Sequence, residues 1–328
     1  MRAAGAGAVG PRLLARPPAR AGLAVAALLA LAALPLALPD ATDFLVQVGI
    51  LYLVVMGLDV LTGYAGQVSL GQTAFMAVGG YGAALLSMRL GWPTVLSLPA
   101  AAAASALLAL VLGVTLLRLR GYFLALATLG LAVIAQGLAT SLVGLTGGPS
   151  GLVGVPNLGL GPLVLTDPTS YYELVLVLCA AGALFKRNLV RSQSGRALVA
   201  VATDQQAAAV LGVDPGAFKT RALVLSAVYA SVAGSVYADY FRFFSPDLIA
   251  VTVAFSLVVM LALGGPRSLL GPLLGVVLLQ LLPRAGQAVA LYEPLIGGIV
   301  LVLVVTYFPA GLWGGVRRAW ETLARGRR

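Results

Sequence analysis

The chain has 328 residues, of which 60% are hydrophobic and 10% charged, and its mean hydropathy is +1.00. Soluble domains carry roughly 25% charged residues, so this composition excludes a water-soluble globular protein and predicts a membrane protein. The net charge of +10 would suit a nucleic-acid partner. The basic residues lie outside the apolar runs, however, and this placement favours a role in orienting the protein in the membrane. The absence of His and the single Cys, Cys179, exclude a disulfide framework and a Cys/His zinc site.

The apolar runs predict an all-α, polytopic bundle. A helix needs about 20 apolar residues to cross the hydrocarbon core of a bilayer, and about ten runs approach that length. The predicted spans cover residues 21–38, 44–62, 72–88, 94–117, 122–143, 171–185, 220–238, 250–264, 268–283 and 292–309. The two spans that flank Gly265-Pro266 could also form one broken helix.

The distribution of charge predicts that both termini are cytoplasmic, because cytoplasmic loops carry the excess of Lys and Arg. With an inner N-terminus, all of the 21 Lys and Arg residues except Arg89, Arg242 and Arg284 lie on the cytoplasmic side. Most acidic residues then lie on the outer side. The stretch 21–38 also resembles a signal peptide, but it is long for one and no small-residue cleavage site follows it, so we interpret it as a span.

The chain divides into three predicted regions. Residues 1–20, rich in Arg, Pro and Gly, are predicted to form a disordered cytoplasmic tail. Residues 21–310 form the membrane domain, and residues 311–328 form a basic cytoplasmic tail.

The largest cytoplasmic loop is predicted at residues 186–219. Ser194 is placed to cap a helix over residues 197–211, which contains no Gly or Pro, and Gly212 and Pro215 then end it. A short Ala-rich helix of this kind can insert into a groove on a soluble partner or lie on the lipid headgroups. Composition does not separate these two interpretations.

Residues 57–73 join two predicted spans and combine Tyr, Gln, Ser and Thr side chains with several glycines. Polar groups without partners are costly in lipid, so this segment must face protein, water or the inner surface. We interpret it as a broken or re-entrant helix that lines a pathway. The alternative is an ordinary cytoplasmic turn between two spans.

An outer loop, rich in Gly and Pro, is predicted at residues 144–170. Its run Thr146-Gly147-Gly148-Pro149-Ser150-Gly151 lacks the Lys and the strand-to-helix context of a phosphate-binding P-loop, so nucleotide binding is not expected. We interpret Thr146, Gly147 and Gly148 as part of an outer turn that shapes a lid or docking surface.

A set of short motifs, in a fixed order over roughly residues 45–310, resembles the permease subunits of branched-chain amino acid ABC transporters of the LivM type. The motifs are Gly63-Tyr64-Ala65-Gly66-Gln67-Val68-Ser69-Leu70-Gly71-Gln72 with Phe75, Arg118-Leu119-Arg120-Gly121 with Thr128-Leu129, Leu145 with the Thr146–Gly151 run, Gly195-Arg196-Ala197, Ala207-Ala208, Leu211-Gly212-Val213, Ser245-Pro246, Leu263-Gly264-Gly265 and Leu270-Gly271-Pro272. Each motif alone is weak, whereas the ordered set is specific.

The resemblance implies a non-enzymatic subunit of an ATP-driven importer in the bacterial cytoplasmic (inner) membrane. It implies no cofactor bound by this chain, because two cytoplasmic ABC ATPase subunits use the ATP. A second, related permease subunit and an extracytoplasmic solute-binding protein complete the implied assembly, which has no nucleic-acid partner.

The resemblance also implies site residues. The loop helix would be a coupling helix that docks on an ATPase through Gly195, Arg196, Ala197, Asp204, Ala207, Ala208, Leu211 and Gly212. The translocation path would lie near Tyr64, Gln67, Ser69, Gln72, Thr73 and Thr128. The loop is less charged than is usual in the family, since Val199, Ala202, Thr203 and Gln205 stand where charged residues are expected.

The sequence leaves alternatives open for which solute is carried and for what drives its transport. Branched-chain and related amino acids come first, and urea, short amides or another small polar solute come second. A secondary transporter would keep a proton-coupling acid within the membrane, and Asp59 is the only acid well inside a predicted span, where its place at the inner end favours a structural role. A membrane enzyme is the weakest hypothesis, because no carboxylate pair or nucleophile and base are visible.

Overall fold

The computed structural model describes residues 31, 34–37, 41–116, 119, 121–160, 163–285, 298–299, 306 and 311–315. The chain forms two compact units, 1–41 and 42–328. The described part of the first unit contains the short helix α1 (Leu34–Ala37). The predicted tail 1–20, nearly all of the predicted spans 21–38 and 292–309, and most of the tail 311–328 lie outside the described residues.

The second unit is a bundle of α-helices, as the sequence predicts. Its helices are α2 (Thr42–Leu58), continued by a π-helix (Asp59–Tyr64), α3 (Gln72–Leu90), α4 (Thr94–Leu116), α5 (Tyr122–Ser141), α6 (Val143–Thr146), α7 (Pro168–Arg191), α8 (Gln193–Thr203), α9 (Gln205–Val210), α10 (Pro215–Phe241), α11 (Val251–Gly264) and α12 (Leu270–Leu281). Single turns of 3-10 helix lie at Gly148–Ser150, Pro246–Ile249 and Pro283–Ala285. Strand β1 (Leu152–Val153) pairs antiparallel with β4 (Phe243–Phe244), and β2 (Gly159–Leu160) with β3 (Leu163–Val164).

Four segments of the described chain are long and apolar enough to cross a membrane. They are Thr42–Tyr64, which joins α2 to its π-helix, and the helices α4, α5 and α10. Helices α11 and α12 are apolar but shorter. A multi-pass membrane bundle is therefore supported, while the predicted number of ten spans is not confirmed within the described residues.

Helix α10 forms the centre of the bundle, where it packs against α2, α3 and α4. Its contact with α3 depends on small residues: a Cβ atom at Gly79 would collide with the Ser231 carbonyl oxygen, and one at Gly234 with the Met76 carbonyl oxygen. The Ser235 hydroxyl donates a hydrogen bond to the Gly79 carbonyl at 3.0 Å. Such backbone-to-backbone packing holds helices together in lipid, where no hydrophobic force drives them to associate.

Helices α4 and α5 differ from α2 and α10 in leaving large apolar side chains exposed. Examples are Leu107 and Val111 in α4 and Phe123 and Ile134 in α5. Exposed apolar surface of this extent is typical of a face that contacts lipid or another chain.

Helix α7 is longer than the predicted span 171–185. It begins at Pro168 and continues to Arg191, so the residues from 186 to 191 are helical and the predicted helix end at 185 is wrong. The helix passes through Lys186 because this side chain is buried against Asp59, which balances its charge. Helix α10 likewise begins at Pro215, before the predicted start at 220.

Helices α11 and α12 form a hairpin and not one broken helix. The link between them turns through Gly265 (φ 100°) and Arg267 (φ 61°), both in the left-handed region. Behind the turn the helices touch closely, since a Cβ atom at Gly264 would collide with the Gly271 carbonyl oxygen and one at Gly275 with the Met260 carbonyl oxygen.

The single helix predicted over residues 197–211 is wrong, because α8 and α9 meet at a break. Asp204 is extended (φ −151°, ψ 112°), and its carboxylate accepts hydrogen bonds from the amides of Gln206 and Ala207 at 2.8 and 3.1 Å. An Asp side chain that caps a new helix offers the backbone an alternative to continuing the old one. The predicted cap at Ser194 is also wrong, since Ser192 caps α8 by accepting from the Gly195 amide.

Candidate functional site

Residues 59–73, called the polar segment below, comprise the π-helix, an irregular stretch and the first residues of α3, so they connect two helices of the bundle. The π-helix ends at Tyr64, residues 65–71 have no regular structure, and the chain becomes helical again at Gln72. The turn is closed by hydrogen bonds from the Ala65 amide to the Val60 carbonyl and from the Gln67 amide to the Leu61 carbonyl, at 3.2 and 3.1 Å.

The predicted path residues in the polar segment are buried, and several hold its backbone in place. Buried members are Tyr64, Gln67, Ser69, Gln72 and Thr73. The Gln67 side-chain amide donates to the Ala65 carbonyl at 3.1 Å, and the Ser69 hydroxyl accepts from the Gly71 amide at 3.3 Å. These two side chains replace backbone hydrogen bonds that the break removes.

Thr128 of α5 joins this group, although it lies far from the polar segment in sequence. Its hydroxyl accepts a hydrogen bond from the Leu70 amide at 3.0 Å and donates to the Ala125 carbonyl at 3.0 Å. A Cβ atom at Gly71 would lie 3.1 Å from the Thr128 carbonyl oxygen, so the glycine allows this close approach. The structure thus brings all six predicted path residues to one region.

Gln72 and Thr73 carry polar atoms that have no hydrogen-bond partner among the described residues. The Gln72 amide nitrogen donates to the Ser226 hydroxyl, which donates to the Gly57 carbonyl at 2.8 Å. The Gln72 Oε1 and Thr73 Oγ1 atoms remain unpaired within the described part of the chain. Unpaired buried polar atoms are costly, which makes them candidates to contact a polar solute.

A buried ion pair, which the sequence analysis did not predict, anchors the start of the polar segment. The Lys186 ammonium lies 2.5 Å from the Asp59 carboxylate, and the two side chains are 1% and 0% exposed. The second Asp59 oxygen accepts from the Arg267 amide at 2.8 Å, and Lys186 also donates to the Ser268 carbonyl at 3.0 Å. Asp59 is therefore bound within a network, which fits a structural role better than proton transfer.

This network joins three elements at one end of the bundle. Asp59 belongs to the π-helix, Lys186 to α7, and Arg267 to the link between α11 and α12, where its guanidinium donates to the Gly63 carbonyl at 2.6 Å. In the sequence, the sign of this network was Asp59, an isolated acid in an apolar run. Its partner could not be identified, because Lys186 was taken as the start of a loop.

Helix α8 lies directly against the polar segment. At Gly66 (φ 67°) an added Cβ atom would lie 3.1 Å from the Cβ atom of Ala202. Helix α8 also packs on α7 and α10. Helix α8 is therefore in direct contact with the polar segment.

The predicted coupling residues divide into inward and outward groups. Gly195 and Ala208 are buried, and a Cβ atom at Gly195 would collide with the carbonyl oxygens of Leu189 and Val190. The remaining coupling residues are partly or fully exposed: Arg196, Ala197, Asp204, Ala207, Leu211 and Gly212. Leu211 is 81% exposed, and its neighbour Val210, which the sequence analysis did not select, is 88% exposed.

The predicted outer turn is held by hydrogen bonds of Thr146 and contains glycines with positive φ. The Thr146 hydroxyl lies 2.6 Å from the Ala139 carbonyl and accepts from the Gly148 amide at 3.3 Å. Gly147 and Gly148 have φ values of 76° and 63°, which favour glycine. This turn leads into β1 and so to the end of α10.

Asp239, near the end of α10, is a second buried acid. It is fully buried, and neither carboxylate oxygen has a hydrogen-bond partner among the described residues. The Tyr171 hydroxyl lies 3.4 Å from its backbone carbonyl. A buried carboxyl group without partners is costly to keep in its charged form.

The comparisons with known proteins agree with this architecture. A family model described as branched-chain amino acid transport system / permease component matches residues 41–306. The chain is also similar to two proteins described as high-affinity branched-chain amino acid transport system permease protein LivM. The protein from Salmonella typhimurium (strain LT2) is 31% identical over 280 residues, covering 78% of this chain and 66% of that protein. The protein from Escherichia coli (strain K12) is 31% identical over 315 residues, covering 88% of this chain and 74% of that protein.

The chain thus spans just under two thirds of the Salmonella protein and about three quarters of the E. coli protein. No solved structure matches it. The family model and both relatives are described as permease components of a transport system, and none of them is described as an enzyme. The chain belongs to the family of branched-chain amino acid transport system permease components.

Proposed function

We propose that this chain is the membrane-spanning permease subunit of an ATP-driven importer for branched-chain or related amino acids. The contact of α8 with the polar segment carries the proposal, because it connects an exposed surface to the buried polar groups. The family and the names of both relatives support the solute class.

The proposed topology has ten spans in the bacterial inner membrane, with both termini in the cytoplasm. The end of the bundle that contains the polar segment, α8, α9 and the α11–α12 link is called the basic end below. Its described basic residues include Arg187, Arg191, Arg196, Arg221 and Arg267. By the positive-inside rule, the basic end would face the cytoplasm.

The proposed coupling element is the pair α8 and α9. The exposed side chains of Val210 and Leu211 would dock on a cytoplasmic ATPase. Beside them lies a groove of about 670 Å³, lined by Val114 of α4, Gln206 of α9 and Arg221 of α10 among others. Closure of two ATPase subunits around ATP would move α8, and the contact between Ala202 and Gly66 would pass that movement to the polar segment.

The proposed solute route passes the polar segment. Gln72 and Thr73 would offer their unpaired oxygen atoms, while Gln67, Ser69 and Thr128 hydrogen-bond the backbone of the polar segment near the buried Tyr64. Unwound backbone and half-helix ends bind polar solutes in many transporters.

The remaining partners complete this route. A second, related permease subunit would supply the facing wall of the pathway. An extracytoplasmic binding protein would supply the affinity for the solute, since this chain offers few charged groups within its spans. ATP would be bound by the partner ATPases and not by this chain.

Transport in proteoliposomes tests this function. The chain is reconstituted with a candidate sister permease, ATPases and binding protein, and uptake of labelled leucine and labelled urea is measured. We expect leucine uptake that requires both ATP and the binding protein. Uptake of urea in place of leucine would refute the solute class, and uptake driven by a pH gradient without ATP would refute the coupling.

A further inference from the structure

A pocket at the basic end lies between the last turns of α7 and the α11–α12 link. Its volume is about 300 Å³, and its lining includes Tyr64, Lys186, Arg187, Arg191, Arg267 and Ser268. The function proposed above makes no use of this pocket.

The lining of the pocket carries excess positive charge. Asp59 balances the charge of Lys186, as the 2.5 Å contact between them shows. Arg187 and Arg267 add two further guanidinium groups, and Arg267 donates to a neutral carbonyl, that of Gly63. No acidic side chain belongs to the described lining. The chemistry of the pocket therefore suits a phosphate group, which guanidinium groups bind well.

The surface of α7 beside the pocket is apolar. Val177 and Leu184 are 63% and 55% exposed, and Phe185 is half exposed. Leu184, Arg187 and Arg191 share one face of the helix, because residues three and four apart lie above one another. In the orientation proposed above, the apolar part of this face lies in the membrane, and the arginines lie at its cytoplasmic surface.

We propose that this pocket binds the phosphate headgroup of an anionic phospholipid from the cytoplasmic leaflet, with the acyl chains along the exposed face of α7. A free phosphate would use the same guanidinium groups, but it would make no use of the apolar face. Basic pockets between transmembrane helices at the cytoplasmic side are known to take anionic headgroups. The proposal rests on the proposed orientation and not on the solute.

A lipid in this pocket would act on the polar segment. Tyr64 lines the pocket, and Lys186 and Arg267 contact the start of the polar segment directly. A headgroup bound there would hold α7, the π-helix and the α11–α12 link together at the end of the bundle where the ATPases dock.

Native mass spectrometry of the full-length chain in detergent tests the proposal without any transport measurement. The chain is titrated with phosphatidylglycerol or with phosphatidylcholine that has the same acyl chains. We expect phosphatidylglycerol adducts to be retained preferentially. We also expect Arg187→Gln to weaken phosphatidylglycerol binding by about fivefold, and Arg187→Lys to retain most of it.

Arg221→Gln is the matched control. Arg221 is exposed at the same basic end but contacts the Phe218 ring, away from the pocket. The proposal is overturned if both lipids bind equally or if Arg187→Gln and Arg221→Gln weaken binding alike. It is also overturned if inorganic phosphate binds as well as the lipid does, or if Arg187→Glu abolishes ATPase co-purification and leaves the lipid adducts unchanged.

Discussion

The pair of Asp59 and Lys186 shows how single residues hold the basic end together. Taking two charges out of water costs several kcal/mol, which their attraction offsets only when the remaining hydrogen bonds are made. Here the amide of Arg267 and the carbonyl of Ser268 complete the network. Removing one partner leaves the other charge buried and unpaired.

We predict that Lys186→Met destabilises the chain by about 3–5 kcal/mol, because it leaves the Asp59 carboxylate without its counter-ion. The double variant Asp59→Asn with Lys186→Met keeps an acceptor for the Arg267 amide and has no buried charge. We therefore expect it to unfold at a higher temperature than the Lys186→Met single variant. Thermal unfolding in detergent measures both, and a double variant that is less stable than the single would contradict the role assigned to the pair.

The residue scale also shows a limit of sequence-based prediction. The acid was visible in an apolar run, but its partner lies 127 residues away in a stretch that read as the start of a loop. The pattern of apolar and polar residues along the sequence does not indicate which helices, far apart in the chain, contact one another. The burial of Tyr64, Gln67 and Ser69 was predictable from the cost of exposing polar groups to lipid, whereas their hydrogen-bond partners were not.

At the scale of helices, the contact between α3 and α10 depends on residues without side-chain bulk. A Cβ atom at Gly79 would meet the Ser231 carbonyl, whereas one at Gly137, in α5, meets no other atom within 4 Å. Both glycines lie inside helices, so both gain the same helix propensity on substitution by Ala.

We predict that Gly79→Ala destabilises the chain by about 1–3 kcal/mol, since the methyl group has no room and α10 must shift. Gly137→Ala should instead leave stability unchanged or raise it by about 0.5–1 kcal/mol. Thermal unfolding of the isolated chain in detergent compares the two. Equal destabilisation by both substitutions would contradict the packing described for α3 and α10.

Helix ends illustrate what the sequence could and could not predict. The ends of α4 and α5 were predicted to within two residues, because their apolar runs are bounded by Gly and polar residues. The break between α8 and α9 was missed because Asp204 acts through its side-chain hydrogen bonds, in a stretch free of Gly and Pro. The irregular backbone within the polar segment was predictable from its glycines and polar side chains.

At the scale of the whole molecule, the described bundle has two kinds of surface. The exposed apolar faces of α4 and α5 suit lipid or a sister permease, and the apolar tip of α9 at Val210 and Leu211 protrudes from the basic end. An apolar tip beside a groove is typical of a surface that a soluble partner covers. The proposed coupling depends on the contacts that lead from this tip through α8 to the polar segment.

The most direct test is docking of the ATPase on α9. The chain is co-expressed with its candidate ATPase, and co-purification and solute-stimulated ATP hydrolysis are compared for the native chain, Leu211→Glu and Val164→Glu. Val164 is also an exposed aliphatic residue, but it lies in β3, within the loop that is predicted on the outer side at residues 144–170.

We predict that Leu211→Glu weakens ATPase binding at least about tenfold and abolishes stimulation by solute, while Val164→Glu behaves as the native chain does. Full binding and stimulation in Leu211→Glu would contradict docking of the ATPase on α9.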